Sequence, residues 1–158
     1  MEKSIISFED SVDQEFHLPE KDWNLYSPLT LAYIGDAAYE LVVRTFFVKQ
    51  ANIQTQKLHQ KVTGCVKAQT QSKMIQLLLP ELTEAEAAVY RRGRNSKPHT
   101  KAKNASLDEY LEATGFEAVM GYLYLNRDFV RMQELIRKGL EQVCKVKVPA
   151  AEDKRRAK

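Results

Sequence analysis

Apolar positions run almost unbroken from Leu29 to Val48, and after that they recur at 3- and 4-residue spacing. Ser27 is a good helix N-cap and Pro28 suits the first helical position, so the long run predicts a helix from Pro28 to about Ala51. A helix that is apolar nearly all round is a buried, central one. Trp23, Leu25 and Tyr26 are expected to dock on the core just before it. Two further helices follow, Ile53 to Thr63 and Val66 to Leu79, the second stopped by Pro80. Thr83-Glu84-Ala85-Glu86 and Ser106-Leu107-Asp108-Glu109 are capping boxes, which open helices running to about Tyr90 and Asn126. Phe129, Met132, Leu135, Ile136, Leu140 and Val143 mark a last amphipathic helix. No stretch reads as a strand and no internal repeat is present. The pattern therefore predicts an all-α fold of six or seven helices.

With 158 residues the chain suits one domain with a real core. No run of apolar residues is long enough and free enough of charge to span a membrane, and the N-terminus lacks a secretory pattern. Cys65 and Cys144 form neither a disulfide framework nor a metal spacing, and read as small core residues of a cytoplasmic protein. The net charge is only +3, but residues 1–22 hold seven acids and two bases, a balance of −5 that leaves +8 for the rest. Residues 1–22 are accordingly read as an irregular acidic arm, 23–146 as the folded body and 147–158 as a basic, disordered tail. A basic body is compatible with a polyanionic partner.

The chemistry sits in the first long helix. Gly35 interrupts good helix formers and marks close packing. Asp36, among apolar neighbours, needs a proton, a donor or a metal. Leu31 to Val43 resembles the signature helix of the ribonuclease III family, through Tyr33-Ile34-Gly35-Asp36-Ala37 and Glu40-Leu41. Thr114-Gly115-Phe116-Glu117-Ala118-Val119-Met120-Gly121-Tyr122-Leu123-Tyr124-Leu125 resembles the family's later acidic helix. The resemblance covers roughly Ser27 to Leu140. It implies the ribonuclease III endonuclease fold, with Asp36 and Glu117 as catalytic residues holding Mg²⁺, for which Mn²⁺ can substitute. The plainer reading, in which the two acids pair with Arg44 or Lys103, stands beside it.

The chain departs from the family pattern at three acidic positions, which here are Leu29, Ala32 and Thr114. A Mg²⁺ that keeps several waters can be held by two carboxylates plus substrate phosphate. Thr114 either reaches the metal through its hydroxyl or a water, or bonds its own backbone. Glu40 borders Asp36 and reads as an ion-pair partner. These departures, and a chain with no room for a double-stranded-RNA-binding domain, resemble the Mini-ribonuclease III branch. That resemblance implies a homodimer that cuts double-stranded RNA and matures precursor large-subunit (23S) ribosomal RNA, with a ribosomal protein as a candidate partner. Arg91, Arg92, Arg94, Asn95, Lys97, Lys101 and Lys103 lie in an acid-free stretch, read as a loop that grips RNA phosphates or as a solvated connector. The competing functional readings are a degenerate nuclease fold that holds RNA or the ribosome without cutting, and a helical assembly factor.

Overall fold

The computed structural model describes residues 6–96 and 106–150. They form seven α-helices: α1 (Phe8–Phe16), α2 (Pro28–Gln50), α3 (Thr55–Val66), α4 (Ala68–Leu78), α5 (Glu84–Arg94), α6 (Leu107–Leu125) and α7 (Phe129–Val143). Short 3-10 turns occupy Trp23–Leu25 and Leu79–Glu81, and no strand occurs among the described residues. The caps act where the sequence puts them. The Ser27 hydroxyl accepts from the Thr30 amide, and both capping boxes, Thr83 with Glu86 and Ser106 with Glu109, are closed.

The enclosed centre of the fold is α6 rather than α2. Helices α2, α4, α5 and α7 all pack on α6, and it buries Phe116, Ala118, Val119, Met120 and Leu123. The α2 helix instead splits its apolar surface. Leu31, Tyr39, Val43 and Phe47 go into the core, while Tyr33 (82 %), Leu41 (55 %) and Val48 (57 %) stay exposed. Tyr39 ties the layers together: its hydroxyl donates to the Cys65 carbonyl at 2.7 Å, and its ring stands edge-on to Phe116. Cys65 and Cys144 are free thiols, close enough for each to shift the other's ionisation.

Three expectations need correcting. The acidic arm is not irregular throughout, because α1 forms within it. Ser7 caps α1, and Arg127 holds it to the body through Glu9, Asp10 and Asp13. Leu25 does not dock but is 77 % exposed, whereas Trp23 packs edge-on against Tyr122 at 4.4 Å and Tyr26 also reaches the core. Arg91, Arg92 and Arg94 belong to the last turn of α5 and not to a loop. Positive side chains there complement the helix's negative C-terminal end, which lets the helix outrun its apolar pattern. Lys97, Lys101 and Lys103, expected to meet RNA, and residues 151–158 of the expected tail lie outside the described residues.

Candidate active site

Helices α2 and α6 cross in backbone contact because each carries a glycine at the crossing. A Cβ on Gly35 would lie 1.8 Å from the Glu117 carbonyl oxygen and 2.5 Å from the Gly121 nitrogen. A Cβ on Gly121 would lie 1.9 Å from the Leu31 carbonyl oxygen. Asp36 follows Gly35 and Glu117 lies one turn before Gly121, so the crossing brings the two acids into one electrostatic site.

Their electrostatics are those of two carboxylates without a counter-ion. Burial, then the Asp36 charge, pushes the Glu117 carboxyl up to about 8, against a smaller opposing effect from a hydrogen bond to Gln71. Asp36 lies at the solvent rim, and partial desolvation together with the Glu40 charge raises its carboxyl too. Among the described residues no cationic side chain pairs with either acid. Arg44, the nearest sequence candidate, is taken by Glu40 at 3.2 Å. Glu40 thus has the ion pair expected of it and adds negative field at Asp36. Thr114 is buried, and its hydroxyl donates to the Tyr110 carbonyl at 3.0 Å, the backbone bond of its plainer reading.

The donor set fits a hard divalent cation, which takes carboxylate oxygens and retains water. Two raised carboxyls in one electrostatic neighbourhood favour such a charge, and the open side at Asp36 gives solvent and phosphate access. One further buried polar atom lies in this neighbourhood, the Gln71 Oε1, which has no hydrogen-bond partner. Sequence reasoning missed Gln71; its only signal was a glutamine in an otherwise ordinary amphipathic helix.

A second acidic group, Glu9, Asp10 and Asp13, is ion-paired with Arg127. It lies in the α1 docking contact and has a cationic partner, which Asp36 and Glu117 lack among the described residues.

The α5 helix closes the other flank of α6. Gly93 sits against Gly115 and Ala118, so the turn bearing Arg91, Arg92 and Arg94 packs beside the segment that carries Glu117. Arg91 and Arg92 are exposed, Arg94 is half-buried, and Asn95 caps the turn.

Residues 29–128 match the family model of the ribonuclease III domain. The chain belongs to the ribonuclease III family. Within that family it is similar to curated Mini-ribonuclease 3 proteins. The one from Clostridium tetani is 45 % identical over 119 residues, covering 75 % of this chain and 79 % of the relative. The one from Streptococcus pneumoniae is 42 % identical over 124 residues, covering 77 % and 97 %. A crystal structure of a Fusobacterium nucleatum protein superposes with a TM-score of 0.71 at 30 % identity, over 77 % of this chain and 94 % of that one. The chain is thus an endoribonuclease of the Mini-ribonuclease III type, and the crossing of α2 and α6 falls inside the matched ribonuclease III domain. Among the described residues no helix is long and apolar enough to cross a membrane.

The raised Glu117 carboxyl makes a prediction for the metal-free protein. Between the ordinary value of 4.5 and about 8, the folded chain keeps a proton that the unfolded chain has released. This contribution to stability is therefore full below the lower value and is lost as pH rises through the window. In EDTA, the wild type should lose stability between about pH 4.5 and about pH 8 relative to Glu117→Gln, whose side chain cannot ionise. Thermal melts of both proteins across that range check this; parallel curves would contradict it.

Proposed function

We propose that the chain is a divalent-metal-dependent endonuclease for double-stranded RNA, in which Asp36 and Glu117 are catalytic and hold Mg²⁺ or Mn²⁺. The observation that carries this reading is the glycine-permitted crossing that sets two carboxylates together with no counter-charge among the described residues. When bound, such a metal polarises the scissile phosphate and supplies a hydroxide from its water. The chain's own residues do the rest. Asp36 offers an oxygen at the open rim, Glu117 offers one from the enclosed side, and the α5 arginines bind flanking phosphates. Residues 23–146 are the catalytic body, with the acidic arm before it and the basic tail after it. Precursor large-subunit ribosomal RNA in the cytoplasm is the substrate we favour, on the strength of the resemblance to Mini-ribonuclease III. Purified protein incubated with duplex RNA should cut it in Mg²⁺ and not in EDTA. Binding without cutting in Mg²⁺ would favour the non-catalytic module instead.

The working unit is a two-fold homodimer. The exposed stripe of Tyr33, Leu41 and Val48 on α2 supports this, since apolar surface of that extent on one helix marks an interface. Light scattering should give about twice the 18.2 kDa of one chain, and Leu41→Glu with Val48→Glu should bring it down to one chain. A monomeric wild type at micromolar concentration would rule the dimer out.

The RNA contacts centre on the end of α5 and the basic residues after it. Changing Arg92, Arg94, Lys97 and Lys101 together to Ala should weaken RNA binding. It should also flatten the dependence of log affinity on log salt by about one unit per lost phosphate contact. An unchanged slope would make the segment a solvated connector.

A further inference from the structure

Gln71 is completely shielded from solvent, which is uncommon for a glutamine. Its helix, α4, is fixed against α6 by two bonds to one acid. The Ser72 hydroxyl donates to the Glu112 carboxylate at 2.6 Å, and the Gln76 amide donates to the same oxygen at 2.7 Å. Gln71 itself is anchored on the turn between α3 and α4, where its Nε2 donates to the Val66 carbonyl at 3.0 Å. The amide also lies close enough to the Glu117 carboxylate to favour its charged form. Its own oxygen is left buried and without a partner, which costs stability. Leucine or methionine would fill the same volume without that cost. The place of a glutamine here is therefore explained by what its N–H groups do: one is bonded to a backbone carbonyl and the amide lies against Glu117.

We propose that Gln71 is a positioning residue: braced on the Val66 carbonyl, its amide holds one oxygen of Glu117 and leaves the other directed at Asp36 and the metal. This rests on the reading of Asp36 and Glu117 as the metal site. With only two carboxylates there, the orientation of each matters more than in a larger cluster. Groups that hydrogen-bond a metal ligand set its direction, and their loss typically weakens metal binding about 10- to 100-fold.

The test uses the full chain, stripped with EDTA and titrated with Mn²⁺ alone, free Mn²⁺ being read by its paramagnetic resonance. Gln71→Met should bind Mn²⁺ at least about tenfold more weakly, with the helical circular dichroism unchanged. Adding Gln71→Met to Glu117→Gln should weaken binding no further than Glu117→Gln alone. Wild-type Mn²⁺ affinity in Gln71→Met, with only its melting temperature lowered, would reduce Gln71 to a packing residue and overturn the inference. Wild-type affinity in Glu117→Gln would overturn the metal reading and this inference with it. Where Gln71→Met does not fold, the wild-type chain still decides. The Gln71 side-chain amide resonances, assigned through bonds, should shift on saturation with Mg²⁺, and resonances that stay in place overturn the proposal.

Discussion

Asp36→Asn and Glu117→Gln are each expected to lower duplex-RNA cleavage by roughly 10³-fold or more, equivalent to about 4 kcal/mol of barrier. Both substitutions keep the shape of the side chain and remove its charge. Neither acid has a cationic partner among the described residues, so neither change strands a charge. The fold should therefore survive. Replacing Glu117, whose carboxyl is costly to ionise in the metal-free chain, should even stabilise the protein at alkaline pH. This separates a catalytic role from a structural one: a structural ion pair would lose stability when one partner is neutralised. Single-turnover cleavage at saturating Mg²⁺, with melting curves of the same preparations, checks both halves. Full activity in either variant would remove that residue from the site.

Gly35→Ala is expected to be as damaging to the fold as those changes are to the reaction. The new methyl would meet the Glu117 carbonyl oxygen at 1.8 Å and the Gly121 nitrogen at 2.5 Å. These are backbone atoms in the middle of a helix, and they cannot swing aside as a side chain can. Relief requires α2 and α6 to separate, which loosens contacts at the best-packed part of the core. Overpacking costs about 1–3 kcal/mol in ordinary sites, and with backbone on the opposing side we expect about 3 kcal/mol or more. For a chain of this length that is a fall of roughly 6–12 °C in melting temperature. Gly64→Ala provides the contrast. A Cβ there meets nothing within 4 Å, so the change should stabilise α3 by up to about 1 kcal/mol through helix propensity. Equal effects at the two sites, measured by thermal or urea unfolding, would mean that the crossing tolerates a methyl group.

The α1 helix shows why part of the fold escapes a reading of the sequence. It has nine residues, a Ser7 cap and little apolar surface, and a helix that short is marginal in isolation. Its docking contact is Arg127, which bonds Asp10 from 117 residues away in the chain. Arg127 is itself held at a positive φ of 59° just past the end of α6. Nothing near residues 8–16 announces that partner.

The sequence by itself determined the helices that carry the candidate site and singled out the two acids proposed for it. Capping boxes, the Ser27 cap and 3.6-residue periodicity are local, and each of those helices begins where its cap stands. Asp36 stood out as an acid in an apolar helical stretch, and the resemblance to the two ribonuclease III helices joined Glu117 to it as a candidate. Only the tertiary structure decided that Gly35 lies on Glu117 and Gly121 on Leu31, that α6 rather than α2 is enclosed, and that Gln71 is buried beside Glu117. The physical reason is that a contact between two helices depends on their crossing angle and register. Those follow from how both surfaces fit, and neither segment contains that fit alone. The same fit leaves the Tyr33, Leu41 and Val48 stripe of α2 exposed; the apolar run announced more apolar surface than one small domain buries, and the packing decided which face is left over.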